Sequence, residues 1–259
     1  IVKKLAESWK ESGIYEGDVV LVHSALSGFL KRYKERNIFL TPDMILDSFI
    51  SAVGKEGTLL FPMYNFDFTK GILFDIKNTR SETGVLTEVA RLRENTYRTG
   101  HPLFSFAVIG AQIEQFKSLK NYTAFGNDSP FAMLLKSDGK IAALDVAGEN
   151  CMTFYHHIEE TEDAPNRYHK KFLGKYKDID GNESMREYDL YARRLDLRVE
   201  TDVKPMEEYL WKKGFYKGSR PGEGNCLHVI KAQDVYDEAA KLIRKGKSLN
   251  MLYKIGKEF

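Results

Sequence analysis

The stretch CMTFYHHIEE (151–160) places His156 three residues before Glu159 and four before Glu160. On a helix that spacing sets the imidazole and both carboxylates along one side. The pattern can present two metal ligands, or it can be an ordinary polar helix face. His157 points about 100° away around the same helix. Three further stretches gather small and polar residues: HSALS (23–27), GHPLFS (100–105) and FGNDSP (125–130). Each falls where a strand ends or a helix begins, the positions at which layered α/β folds build their sites. Singly they decide nothing, since a histidine often packs in a core and Ser129-Pro130 by itself is a helix start. The chain has no GxxxxGK[ST] loop, no GxGxxG after its first strand, no GxSxG elbow and no HExxH.

The elements that must hold these residues follow a βα rhythm. Ile1, Leu5 and Trp9 share one face of an opening helix that Gly13 stops. Residues 19–22 read as a buried strand running into a small-residue turn. Thr41-Pro42 starts a helix with Met44, Ile45, Phe49, Ile50 and Val53 on its apolar face and Gly54 at its end. Strands are expected over GTLLFPMY (57–64), 104–109 and 140–146. A helix is expected over 81–93 with Val85, Leu86, Val89 and Leu92 inward, and a shorter one from Ser129-Pro130 through Leu135. This rhythm predicts a layered α/β/α fold with a mixed central sheet. From about Tyr168 the texture changes. Two strands around Asp180-Gly181-Asn182, a helix over 206–213, a strand over 226–230 and a helix over 234–245 predict a small C-terminal α+β lobe (166–259) built onto a core of 1–165. The whole reads as one domain, 1–259.

Composition narrows the class of protein. The chain has 259 residues, with 39 Lys and Arg against 37 Asp and Glu, a net charge of +2. Both signs are interleaved, which argues against a nucleic-acid or membrane-surface partner. At 42% hydrophobic residues, wholesale disorder is excluded. The longest stretch free of charge, Thr99 to Ile113, is shorter than the ~20 apolar residues that cross a bilayer. The opening IVKKLAESWKESG is amphipathic and not a signal core, so a cytoplasmic protein is expected. Cys151 and Cys226 are too few and too isolated for a disulfide framework or a zinc site.

Six blocks taken in order resemble the aminoglycoside 3-N-acetyltransferase family, the antibiotic N-acetyltransferase fold. They are LVHSALS (21–27), GTLLFPMYNF (57–66), SETGVLTEVARL (81–92), RTGHPLFSFAVIG (98–110), FGNDSPFAML (125–134) and MTFYHHIE (152–159). The likeness covers about residues 15–160 and fades beyond Pro165. It implies an enzyme that moves an acetyl group from acetyl-CoA, its cosubstrate, to an amine of an amino sugar, with no metal. It implies His156 as general base, oriented by Glu159. His23, Ser24, Ala25, Leu26 and Ser27 would lie along the pantetheine and acetyl end. His101, Ser105 and Phe106 would lie on the CoA side and Arg98 at a phosphate. Tyr64, Asn65, Asp67 and Glu160 would face the acceptor. Direct transfer needs no protein nucleophile, which leaves Cys151 as a small buried residue.

Departures from the family pattern bear on the acceptor. Phe104 stands where many drug-modifying members have a second histidine, and Phe61-Pro62-Met63-Tyr64 stands where the family has Met-Pro-Thr-Phe. Those members tend to be acidic, whereas this chain has basic clusters in KKFLGKYK (170–177) and WKKGFYKGSR (211–220). An aminoglycoside antibiotic, which would make the protein a resistance enzyme, and a nucleotide-linked amino sugar therefore both stand as acceptors. The acidic run Glu159-Glu160-Thr161-Glu162-Asp163 could receive a cationic amine or be a solvated helix end. A homodimer is compatible with the sequence. The rival readings are a metal-dependent hydrolase using His156, Glu160 and a third ligand such as His101, or a non-catalytic CoA-binding protein.

Overall fold

The computed structural model describes residues 1–256. Helix α1 (Val2–Glu11) leads to β1 (Val19–Ser24), α2 (Leu26–Glu35), α3 (Pro42–Val53), β2 (Thr58–Tyr64) and the short β3 (Phe74–Asp75). Then come α4 (Val85–Leu92), β4 (Tyr97–Arg98), β5 (Phe104–Gly110), α5 (Ile113–Lys117), α6 (Pro130–Lys136), β6 (Lys140–Leu144) and α7 (Phe154–Thr161). The long pair β7 (Arg167–Lys177) and β8 (Glu183–Arg193) follows, then β9 (Val199–Thr201), α8 (Lys204–Lys212), β10 (Lys217–Gly218), β11 (Leu227–Lys231), α9 (Ala232–Arg244) and β12 (Tyr253–Ile255).

The main sheet runs β10-β11-β6-β1-β2-β5-β4. Its centre, β6-β1-β2, is parallel and its flanks are antiparallel, so the sheet is mixed as the sequence predicts. Alternation along the strands divides the core. Val20, Val22, Leu59 and Phe61 meet α1 to α4 on one face through Trp9, Phe29, Phe49 and Leu86. Val19, Leu21 and Leu60 meet α6 to α9 on the other through Phe131, Phe154, Met206 and Val235. Two covered faces explain why β1 and β2 are apolar without alternation.

Local chemistry sets most boundaries. Thr41 accepts a hydrogen bond from the Met44 amide at 3.2 Å ahead of Pro42, and Ser129 accepts one from Ala132 at 3.3 Å ahead of Pro130. The hairpin turn has Gly181 at φ 89°, with the Asp178 carboxylate accepting from the amides of Asp180 and Asn182. The expected helix over 81–93 is shorter, because residues 81–84 form a loop in which Ser81 and Thr83 donate to the Pro62 carbonyl. Its inward residues are Leu86, Thr87 and Ala90, while Val85 and Leu92 are 59% and 70% exposed. Helix α2 replaces the expected turn. Ser27 and Gly28 depress helix propensity there, and burial of Leu26 and Phe29 overrides it. The tail beyond 165 is also divided. Strands β7 and β8 join β3 in a separate three-stranded sheet, but β10 and β11 extend the main sheet against β6. No helix among the described residues is long and apolar enough to cross a membrane.

Candidate active site

Burial of Phe154, Tyr155 and Ile158 fixes the rotation of α7 and leaves His156 at its edge, 19% exposed, facing the base of the β7–β8 hairpin. One turn on, Glu159 is 3% exposed and its Oε2 lies 2.9 Å from His156 Nδ1. A carboxylate only accepts, so Nδ1 carries the proton and Nε2 is left with its lone pair. Glu159 also accepts from Asn166 Nδ2 at 2.7 Å and from Arg167 Nε. The Arg167 guanidinium donates further to the Tyr191 carbonyl at 3.2 Å and to Thr201 Oγ1 at 3.3 Å, and its Nη2 lies 3.4 Å from His156 Nε2. The Phe125 ring meets the imidazole edge-on at 5.2 Å. Burial, reinforced by the charge of Arg167, pulls His156 down to about 4 against the opposing pull of Glu159. Burial alone would raise Glu159, but Arg167, His156 and Asn166 together hold it below the ordinary carboxylate range.

The imidazole lines two cavities. One, of about 350 Å³, has an aromatic wall including Phe66, Phe104, Phe125, Phe172 and Tyr191. The other, of about 150 Å³, is formed by residues 149–153 with Thr201 and Val203. Gly126, in the FGNDSP stretch, has to be glycine because a Cβ would collide with Thr123 Oγ1 and come within 2.9 Å of Glu160 Oε1. The neighbouring Phe125 carbonyl accepts from His157 Nδ1 at 2.6 Å, which spends His157 on anchoring this loop in the core.

His156 and Glu159 are brought together with Arg167, Asn166 and Thr201, which sequence reasoning missed. Asn166 and Arg167 follow Glu159 by seven and eight residues, but no helical spacing marks them because the chain has left α7 before it reaches them, and Thr201 arrives only through the folding of β9. Ser24 ends β1, Ala25 donates its amide to the Leu144 carbonyl, Leu26 is buried and Ser27 is exposed at the start of α2. Ser27 lines a groove of about 670 Å³ with Leu30, Lys31, Lys34, Phe39 and Leu40. His23 is buried on the sheet face shared with Val19 and Leu21, level with Ala143 and His228, and burial followed by the nearness of His228 lowers it to about 4.

Other expected site residues lie elsewhere. Arg98 is buried, donating from Nε to Ser105 Oγ at 3.0 Å and from Nη1 to the carbonyls of Ile76 and Thr79, so it clamps a loop instead of facing a phosphate. Ser105 donates to the Met63 carbonyl at 3.1 Å, and Phe106 is enclosed. His101 is enclosed as well, with Nε2–H on the Asp189 carbonyl at 3.2 Å and Nδ1 accepting from the amides of Leu103 and Phe104. None of these four lines either cavity at His156. Tyr64 packs behind Phe104 at 4.7 Å with its hydroxyl buried. Asn65 binds the Arg80 carbonyl and the Asp67 amide, and the Asp67 carboxylate pairs with Lys70 at the surface.

The carboxylates of the acidic run beyond Glu159 are taken up by internal partners and line neither cleft, although Thr161 and Asp163 are exposed. Glu160 accepts from Thr123 at 2.7 Å and is raised by burial, Glu162 binds Arg244 and Tyr236, and Asp163 accepts from the Tyr191 hydroxyl at 3.2 Å. The metal pair expected of His156 and Glu160 is not formed, because one turns to Glu159 and the other to Thr123. Among the described residues no three His, Cys, Asp or Glu side chains converge as a metal site.

A three-layer α/β body on a mixed sheet, with a carboxylate-fixed imidazole between two clefts, defines a class of α/β protein equipped for acid–base chemistry. Comparison with known sequences makes this specific. The chain belongs to the aminoglycoside 3-N-acetyltransferase family, which it matches over residues 21–244. It is 26% identical over 186 residues to aminoglycoside N(3)-acetyltransferase VII of Streptomyces paromomycinus, a match covering 63% of this chain and 62% of that protein. The fold is shared with AAC-IIIb in binary complex with CoASH, at a TM-score of 0.79 and 21% identity over 95% of this chain and 96% of that one. It is shared also with the YokD protein of Bacillus subtilis, at a TM-score of 0.74 and 17% identity over 95% and 94%.

Proposed function

We propose that the protein is an acetyl-CoA-dependent N-acetyltransferase that acylates an amine of an amino sugar by direct transfer. The observation that carries this reading is the His156 ring, held through Nδ1 by Glu159 and lining two cavities, with the Nε2 lone pair met only by a long 3.4 Å contact from Arg167 Nη2 that an incoming amine would displace. A relative of the same fold holds CoASH. The reading is supported by the residue types of the groove beside Ser27, where apolar Leu30, Phe39 and Leu40 would suit a pantetheine arm and Lys34 a phosphate oxygen.

Acetyl-CoA supplies an acyl group already activated as a thioester. The acceptor amine must be neutral to attack it. As nitrogen bonds to the carbonyl carbon its remaining protons become acidic, and His156 Nε2 takes one. The carbon–sulfur bond breaks, and the proton passes on to the departing sulfur to give the amide and free CoA thiol. Glu159 keeps the imidazole in the required tautomer throughout. Cys151 lines the smaller cavity, but burial, with Glu207 and Glu149 nearby, pushes its thiol well up, which supports transfer without a thioester on the enzyme.

The test is thiol release from acetyl-CoA in the presence of amino-sugar acceptors. A folded His156→Ala variant should lose about 10²–10⁴-fold in rate, and Cys151→Ala should keep its activity. Full turnover by the alanine variant at 156 would remove the proposed base.

A further inference from the structure

The larger cavity has an unusual charge balance for an enzyme acting on a polycation. Its lining holds three cations, Arg167, Lys170 and Arg193, and no aspartate or glutamate. Arg167 is spent on Glu159, Tyr191 and Thr201. Arg193 and Lys170 have no carboxylate partner among the described residues. Lys170 Nζ lies only over the Phe172 ring, at 5.3 Å. Several nearby cations are paired: Lys171 with Glu187 at 3.0 Å, Arg186 with Asp178 at 3.4 Å and, just past β8, Arg194 with Asp196 at 2.8 Å.

The pairing register sharpens the point. Arg193 stands directly opposite Arg167 across the hairpin, a like-charge pair that costs stability in an antiparallel ladder. Glu159 neutralises Arg167, and nothing within the described chain neutralises Arg193. The acidic residues that could have compensated, Glu160, Glu162 and Asp163, are each engaged elsewhere. An aminoglycoside with several ammonium groups would meet two uncompensated cations here and no carboxylate. A phosphate group would meet the charge it lacks, next to an aromatic wall suited to a sugar or base face.

We infer that the acceptor is an amino sugar bearing a phosphate ester, read by Arg193 and Lys170 while its amine is presented to His156. This rests on His156 being the base of the proposed transfer. The experiment compares binding by calorimetry and acetyl transfer by thiol release for four probes: UDP-glucosamine, glucosamine 1-phosphate, glucosamine and kanamycin. Either phosphorylated probe should bind at least about tenfold more tightly than glucosamine. Arg193 and Lys170 are exposed, so Arg193→Gln or Lys170→Gln should each reduce that preference by a few fold, and the double substitution should bring it to parity with glucosamine. His156→Ala should slow transfer by about 10²–10⁴-fold and keep the binding preference, so that loss of the base and loss of the phosphate site are read separately. Equal binding of phosphorylated and free sugar, tighter binding or faster turnover of kanamycin, or a preference that survives both glutamine substitutions would overturn the proposal.

Discussion

At the scale of single residues, the site is a three-part balance. Glu159 sets the tautomer of His156, and Arg167 neutralises Glu159 while depressing the imidazole. With His156 near 4, the ring is already neutral across the range in which an acceptor amine loses its proton, around 8–10. The dependence of kcat/KM on pH should therefore rise with deprotonation of the acceptor and show no histidine inflection near 6.5. A wild-type profile that breaks at 6.5 would contradict this assignment. Removing the cation in Arg167→Gln should move His156 up from about 4, measured by NMR titration of the ring. The same change breaks a buried ion pair and should cost about 3–5 kcal/mol, measured by denaturant unfolding. An unmoved imidazole would show that Arg167 does not set its basicity.

At the scale of elements, α7 and the β7–β8 hairpin have to meet for a site to exist. The helix is oriented by its apolar residues, and the loop over 123–129 braces it through Phe125 and Gly126. That loop ends in the Ser129 cap of α6, a helix of seven residues that packs against α7. A short helix depends heavily on its first turn. Ser129→Ala should cost about 0.5–2 kcal/mol in urea unfolding, and an effect within error would mean that Pro130 and packing hold the helix alone. Caps and turns of this kind were readable, since Thr41-Pro42, Ser129-Pro130 and Asp180-Gly181-Asn182 act through neighbours in sequence. Helix α2 was not, because its residues favour a turn and only the burial of Leu26 and Phe29, the latter beside Trp9 of α1, decides otherwise.

At the scale of the whole molecule, acid stability should be governed by histidines enclosed in neutral form. His23, His156 and His228 are pulled down to about 4 and His101 to about 3, in each case first by burial. Unfolding returns each to about 6.5. Between pH 6.5 and 4 the unfolded chain therefore binds more protons than the folded one, and stability falls as pH falls through that window. Each histidine contributes up to roughly 1.4 kcal/mol per pH unit there, so urea unfolding at pH 5 should show a loss of several kcal/mol relative to pH 7.5. A flat profile would mean that these rings protonate without unfolding. Repulsion between Arg167 and Arg193 adds to the reliance of the hairpin on Glu159 staying charged.

The sequence by itself determined the parts set by spacing and by neighbours: the βα order, the mixed layered fold, the capped helices, the family blocks and the His156–Glu159 pair three residues apart. Only the tertiary structure decided what surrounds that pair. Arg167 and Thr201 join it, while Arg98, His101 and Ser105 turn inward to carbonyls and hydroxyls of other segments. The acidic run is consumed by internal partners, and the cleft at His156 is left cationic. The physical reason is that the charge and hydrogen bonding of a buried group are fixed by the partners it meets in space. In this fold some of those partners, such as Thr201 at His156 and Asp189 at His101, come from strands far along the chain, and even the nearby Arg167 is turned onto Glu159 only by the path of β7.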